Sequence, residues 1–339
     1  MSARIAGLGW ITTLGADLGT VWERLMAGEA PERKPFANPE TGRVHEYLPV
    51  PPKLVEHLGR NPRLRRSSAI SYYAVAAGLA ALEHAGLVLT PEVAARTAVV
   101  FAISNGGVLY TRRFFEQIIK GGANAASPLL FAETVYNAPA SHLAAQLEID
   151  GASYTLVGDA SVGLTALRFG EELIELGEAD HCIVVGAEEC DWILCEAYRD
   201  WRLARTPLAE GAAAVVLSRA GRWSLHTHPG VSFFRQRDAA TALEAVLADL
   251  ARSGPVDLAV CSANGTFVDR AESSALARWF PRIETLTLGK SFGAAPGASA
   301  LLQVITAALA VERKGAARVL VSVVGCNQQA SAAIVAGGE

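Results

Sequence analysis

Apolar positions along this chain fall into two recurring patterns. Short runs of branched residues end in small or acidic ones: "AVVFAISNGG" from Ala98, "CIVVGAEE" from Cys182, "LAVCSANGT" from Leu258 and "VLVSVVGCN" from Val319. Their length and β-branched content predict buried strands. Between them lie longer stretches with apolar residues at helical spacing. "SSAISYYAVAAGLAALEHAG" predicts a helix capped by Ser67 or Ser68 and ended by Gly86, and "DAATALEAVLADLARSG" predicts one terminated by Gly254. Strands alternating with helices buried on the sheet faces give an α/β layered architecture. The first and third runs both end in Asn-Gly, and the second has a looser counterpart in the fourth. This echo predicts two related halves joined near Ala220, the second shorter than the first.

One stretch stands apart. In "LVGDASVGLTALRFG", Leu156 to Gly170, an apolar run feeds Gly158, Asp159 and two small residues, after which Leu164, Leu167, Leu173, Ile174 and Leu176 recur at helical spacing until Gly177. That is a strand, a tight elbow and a helix. A helix N-terminus aimed at a pocket lowers the pKa of a cysteine and suits a nucleophile. The apex carries Ala160 instead.

Composition narrows the possibilities. Over 339 residues, 51% are hydrophobic and 19% charged, which predicts a folded chain with deeply buried elements. The net charge of −4 and pI near 6.0 give no general attraction for nucleic acid. The basic stretch "RNPRLRRSS", Arg60 to Ser68, reads as a solvated helix entry. The opening "IAGLGWITTLG" is broken by glycines and has no basic leader, so it reads as a first strand and turn, not a signal peptide. Ser291 to Val311 is uncharged, yet its first third is rich in Gly, Ser and Pro and the remaining "ALLQVITAALAV" is too short to cross a bilayer; it predicts a buried core helix and no membrane span. The five cysteines, Cys182, Cys190, Cys195, Cys261 and Cys326, show no paired spacing and read as reduced, mostly buried thiols of a cytoplasmic protein. No cofactor motif is present, and His226-x-His228 is the one histidine spacing that suggests a metal; it reads as the flank of a strand end. His142 reads as a satisfied core or interface residue.

The segments "RLRRSSAISYYAVAAGLAALEHAGL", "SNGGVLYTRRFFEQIIKGG", "SPLLFAETVYNAPASHLAAQLEIDG", the elbow, "LGEADHCIVVGAEE", "LAEGAAAVVLS", "SANGTFVDRAES" and "GKSFGAAPGA" together resemble the condensing enzymes of thiolase fold, specifically the β-ketoacyl synthases of fatty acid and polyketide synthesis. The resemblance covers almost the whole chain. It implies a thiolase-like fold, a duplicated α/β/α/β/α layered architecture, with residues 1–220 as one ketosynthase-like half and 221–339 as a second, shortened one. Family members are usually longer, and the shortening lies mainly between Arg199 and Leu258.

The departures from the family pattern carry the functional reading. An active synthase has a cysteine at the elbow and two histidines that assist malonyl decarboxylation. The matching positions here are Ala160, Asn264 in "ANGT" and Ala294 in "KSFGAAPG", while Lys290, Gly293 and Gly265 persist. Asp159 can cap the elbow helix through its carboxylate, and such a charge beside a thiol would oppose thiolate formation. Ser161 would need a base within reach to act as a nucleophile, and no histidine falls in the positions this architecture brings to the elbow.

A catalytically silent chain of this kind resembles the chain length factor, or β subunit, of type II polyketide systems. That resemblance implies a heterodimer with an active ketosynthase subunit, work on acyl and malonyl chains carried by an acyl carrier protein, and a share in the tunnel that holds the growing chain. The alanine elbow is more similar to subunits of polyene-making systems, such as aryl polyene synthesis, than to aromatic ones. In "GGVLYTRRFFEQ" the positions matching the tunnel gate are Val108, Thr111 and Phe115, at helical spacing on one face. Two alternatives stand beside this reading: a divergent acyltransferase or condensing enzyme using Ser161 or a loop cysteine such as Cys190 or Cys326, and a structural or carrier-binding module without a tunnel.

Overall fold

The computed structural model describes residues 3–326 and 329–338. In chain order its strands are β1 (Arg4–Ile11), β2 (Lys34–Ala37), β3 (Val44–Leu48), β4 (Thr97–Ile103), β5 (Ser153–Val157), β6 (His181–Glu188), β7 (Leu208–Ala209), β8 (Gly211–Ser218), β9 (Trp223–Thr227), β10 (Val231–Ser232), β11 (Leu258–Cys261), β12 (Glu284–Thr287), β13 (Arg318–Val324) and β14 (Gln329–Gly337). The main sheet runs β12-β11-β13-β14-β9-β1-β8-β6-β4-β5, with β10 beside β14. Read from its two ends, this order repeats itself. In one half β5, β4 and β6 are parallel, then β8 and β1 join antiparallel; in the other β12, β11 and β13 are parallel, then β14 and β9 join antiparallel. The halves meet where β1 pairs briefly with β9. The Asn-Gly runs therefore lie at equivalent places, on β4 and β11, and their counterparts on β6 and β13. Asn327, at the end of the last run, lies outside the described residues.

Helices separate and cover the two halves. Helix Ala69–Ala85, with Ala138–Leu147, packs on the outer face of β1, β8, β6 and β4, and helices Ala239–Ala251 and Phe267–Trp279 cover the outer face of the other half. Between them run the elbow helix Val162–Glu175 and the central helix Pro296–Lys314, which touches strands of both halves. This is the expected α/β/α/β/α layering. The central helix is buried almost throughout from Pro296 to Ala310, because both of its faces meet a sheet. Among the described residues no helix is long and apolar enough to cross a membrane. A separate small sheet, β2-β3-β7, lies against the helix Trp192–Asp200.

Local signals held with informative exceptions. Gly86 ends the first long helix in the left-handed region, and the elbow helix stops at Glu175, two residues before Gly177. Ser68 does take the N-cap position of helix Ala69–Ala85, but its side chain makes no capping bond there; the hydroxyl donates to Glu189 instead, 121 residues away. The stretch from Arg60 is an exposed turn into that helix, as its charge suggested. Four cysteines are buried and Cys326 is partly so, all as free thiols. His226 lies on β9; His228 follows it and pairs with Asp249 at 3.3 Å. His142 is bonded to Glu133 at 2.7 Å.

Candidate functional site

The elbow forms as the glycine and small residues dictate. Beyond β5, the Gly158 amide donates to Ile103 O (3.0 Å) and Asp159 Oδ1 accepts from the Ser161 amide (3.0 Å). The Asp159 carboxylate thus closes the turn at Ser161, one residue before the helix begins, and this N-cap residue has no side-chain capping bond of its own. Space for the carboxylate comes from Gly325 on the turn after β13, where a Cβ would stand 1.9 Å from Asp159 Oδ2. Ser161 is buried, its Oγ lying 2.8 Å from Asp159 Oδ1 and 2.7 Å from Gln329 Oε1.

Fold topology brings the three positions singled out in the sequence to one place. Ala160, Asn264 and Ala294 all wall a single cavity of about 80 Å³, together with Tyr198, Leu203, Ser262, Phe292, Gln303 and Cys326. By volume it would hold roughly five to eight waters. Among the described residues, none that lines it is a histidine, a lysine or an arginine.

Two of the three positions, Asn264 and Ala294, are tied into the fold. The Asn264 side chain accepts from Thr266 Oγ1 (2.6 Å) and donates to Leu203 O (3.1 Å), while its carbonyl accepts from the Arg205 amide (2.9 Å). It ties the loop after helix Trp192–Asp200 to the start of helix Phe267–Trp279. An amide used in this way can neither take up a proton nor present a cation to an enolate. Ala294 pairs through its backbone, donating to Pro207 O and accepting from the Ala209 amide, both at 2.9 Å. Gly293 beside it has a positive φ of 67°, and a Cβ there would meet Ala209 Cβ at 2.7 Å. The retained Lys290 is exposed and does not line the cavity.

The remaining nucleophile candidates separate cleanly. Cys190 is buried near Glu210, outside the cavity wall, and burial holds its thiol well above the usual range. Cys326 does face the cavity, donating to Leu203 O (2.9 Å), and burial with the nearby Asp159 charge pushes it up to about 11. A thiol so shifted is almost wholly protonated at neutral pH. Among the described residues no group of three or more His, Cys, Asp or Glu side chains is disposed to hold a metal ion.

The gate positions lie on helix Val108–Gly121. They share a face by spacing but not an environment. Val108 is 7% exposed, Thr111 is half-buried with its hydroxyl donating to Gly107 O (2.9 Å), and Phe115 is 54% exposed, its ring edge-on to Phe114. Of the three, Phe115 projects from the chain.

Sequence reasoning passed over the acidic turn that follows β6. Glu188 accepts from the Ser104 and Gly297 amides, each at 3.0 Å, and Glu189 from Ser68 Oγ (2.6 Å) and the Ile70 (3.0 Å) and Leu109 (2.8 Å) amides. Burial pushes both carboxyls up to about 7 against the pull of those donors. The signal was present in "GAEEC", two adjacent acids ending a wholly apolar strand.

Comparison with known proteins places this arrangement. Residues 4–222 match the family described as "Beta-ketoacyl synthase, N-terminal domain". Among curated proteins, 3-oxoacyl-[acyl-carrier-protein] synthase 2 of Vibrio cholerae is 24% identical over 192 residues, covering 55% of this chain and 45% of that protein. The Coxiella burnetii enzyme of the same name is 22% identical over 225 residues, covering 64% and 50%. The chain thus spans about half the length of the curated relatives it matches. Among solved structures, the ishigamide ketosynthase/chain length factor superposes with a TM-score of 0.85 at 20% identity over 100% of both chains. A ketosynthase in complex with its chain length factor from Xenorhabdus doucetiae gives 0.74 at 17% identity, covering 99% and 98%. These structural likenesses show the thiolase-like fold that the layering already displays, and the family match over residues 4–222 shows that the chain belongs to the β-ketoacyl synthase family.

Proposed function

We propose that this chain is a catalytically inactive ketosynthase-like subunit, a chain length factor, which pairs with an active β-ketoacyl synthase and shapes the acyl tunnel in type II polyketide or polyene synthesis. The observation that carries the reading is the cavity walled by Ala160, Asn264 and Ala294. The position at the elbow's apex offers no nucleophile, and the two positions where the family places histidines offer no base and no cation. Condensation needs an attacking thiolate and groups that stabilise developing charge. The two halves, residues 1–220 and 221–339, serve here as scaffold, in a cytoplasmic setting.

Sheet edges support a partner. At one edge β12 exposes polar side chains, of which charged Glu284 discourages association; at the other β5 exposes Tyr154 and Val157. Phe115, Ile119, Leu129, Phe131 and Tyr136 are exposed nearby in sequence. So many large apolar groups on the surface of one part of a chain mark an interface. The two neighbours described as a ketosynthase with a chain length factor, and a third solved structure described as a type II PKS acyl-carrier protein in complex with its ketosynthase, are consistent with this assignment of partners.

The acyltransferase reading loses support on geometry. Ser161 is buried and held by Asp159 and Gln329, and of the two cysteines that line the cavity, Cys326 stays protonated and burial pushes the Cys261 thiol up as well. The test is reconstitution. The purified chain with acyl- and malonyl-loaded carrier protein should give no ketoacyl product and no acyl-enzyme mass increase, and should co-purify with the active synthase of its own system. Acylation at Ser161 or Cys326 would overturn the assignment.

A further inference from the structure

Four helix N-termini converge on the turn Glu188–Asp191, and its acids do what local sequence does not. Helix Val108–Gly121 begins after Gly107, which has no side chain to cap it, and its Leu109 amide donates to Glu189 Oε1 at 2.8 Å. The same carboxylate takes the Ile70 amide at the start of helix Ala69–Ala85 through Oε2 (3.0 Å). Glu188 takes the Gly297 amide at the start of the central helix (3.0 Å). Asp191 caps its own helix, accepting from the Ile193 amide through Oδ1 (3.1 Å), and holds Arg112 Nε through Oδ2 (3.0 Å). Arg112 in turn bonds Glu116 one turn further along the gate helix (2.5 Å). Unsatisfied amides at a helix start and the positive end of its dipole both favour a carboxylate there.

The turn also touches the cavity side. Glu188 sits one residue from Pro296, which lines the cavity, through its bond to Gly297, and Asn105 Nδ2 donates to Glu188 Oε2 (3.1 Å) while lying 3.5 Å from the cavity residue Tyr198. Glu189 and Asp191 face the gate helix from the same four-residue turn. Asp191 and Glu189 have little freedom: their exposures are 2% and 1%.

We propose that Glu189 and Asp191 are positioning residues that fix the gate helix on the rigid sheet, so that Phe115 is held at one depth and the length limit is sharp. This rests on the chain length factor reading. Val108 is the helix's one buried residue, and its other contacts run to the short segments that follow it, through the Phe114–Phe131 rings and the Ser127 amide on Gln117 Oε1, so these two ties join it to the turn at the end of β6.

Asp191→Asn isolates the tie. The amide oxygen can keep the Ile193 cap, while the charge that holds Arg112 is gone. Hydrogen exchange on the full chain should show amides 108–121 exchanging at least tenfold faster, with those of 192–200 and 239–251 unchanged. Arg112→Ala should give at least the same rise, and adding Asp191→Asn to it should add little more, because both break the Arg112–Asp191 contact. In the reconstituted complex the variant should spread the product over more lengths at unchanged assembly and unchanged rate of the first condensation, a readout that simple destabilisation would not give. Unchanged exchange in 108–121 would overturn the positioning role. Faster exchange with an unchanged product profile, in a complex where Phe115→Ala does shift the profile, would overturn the claim that the ties set length while leaving the gate reading intact. If Phe115→Ala shifts nothing, the gate reading falls, and the length claim with it.

Discussion

Truncating Phe115 separates two roles for the one proposed gate residue that projects from the chain. Its ring is 54% exposed, so of the roughly 200 Å² an aromatic side chain can bury, about 110 Å² is open in the isolated subunit. At about 25 cal/mol per Å² this is worth about 3 kcal/mol if a partner protein covers it, and Phe115→Ala would then weaken the heterodimer about 100-fold. A ring that faces a tunnel lumen behaves differently. Its neighbour is the product chain, so assembly should weaken less than tenfold, and the space it leaves should admit more carbon. Each additional two-carbon unit seated in apolar surroundings gains about 1.6 kcal/mol, a bias of about 15-fold toward the longer chain. The gate reading therefore expects the dominant product to lengthen by at least one two-carbon unit. The assay is reconstitution of the complex with loaded carrier protein, product lengths read by mass spectrometry and the heterodimer affinity measured on the same samples. A complex weakened about 100-fold with an unaltered profile would make Phe115 an interface anchor, and full assembly with an unaltered profile would make it neither.

Three further outcomes follow from the site and its surroundings. Cys326, held at about 11 by burial and Asp159, should be alkylated at pH 7.5 about 10²-fold more slowly than a free thiol, and a rate equal to that of free cysteine would reopen the acyltransferase reading. Ala160→Cys should yield no condensing activity, because the new thiol would stand beside Asp159 with Asn264 and Ala294 still in the histidine places; turnover would reveal an overlooked base. Glu272, pushed up to about 7 by burial, binds its proton more tightly in the folded chain than in the unfolded one, so its contribution favours folding at pH 5 and is lost as pH rises through 7. Glu272→Gln should accordingly flatten the pH dependence, gaining about 3 kcal/mol relative to the parent between pH 5 and pH 8 in denaturant titrations, and parallel curves would refute the buried-acid argument.

What the sequence made legible was whatever chemistry lies within a few residues. The elbow, the Asn-Gly strand ends and the buried central helix each announce themselves through adjacent residues: glycine where the chain turns, branched side chains where both faces are covered. The two-half order of the sheet was visible only as an echo between β4 and β11 and a looser one between β6 and β13, because strand pairing joins residues far apart. The caps were misjudged for the same reason. Ser68 has the residue type of a cap, but Glu189 reaches the Ile70 amide first and takes the hydroxyl too. Helical spacing put Val108, Thr111 and Phe115 on one face, yet spacing is silent on depth, and the face runs from a buried end to an exposed one.

The way the three family positions are now used explains why an inactive chain would keep so much of the architecture. A histidine at position 264 would have served a reaction; the asparagine there serves a junction, joining Leu203, Thr266 and the Arg205 amide in one knot. Ala294 contributes only its backbone, and for that the positive φ of Gly293 and the absence of a Cβ beside Ala209 are still required. Gly325 must stay bare so that Asp159 can close the elbow. These constraints concern how the elbow, the loops after β11 and β13 and the segment before β8 sit against one another, and none depends on a nucleophile. Beside them, β5 keeps an exposed edge, and Glu189 and Asp191 hold the start of helix Val108–Gly121. A subunit whose task is to present an edge and a helix at fixed positions can lose its chemistry at no cost to that task, whereas it cannot lose the glycines and carboxylates that hold the pieces in register.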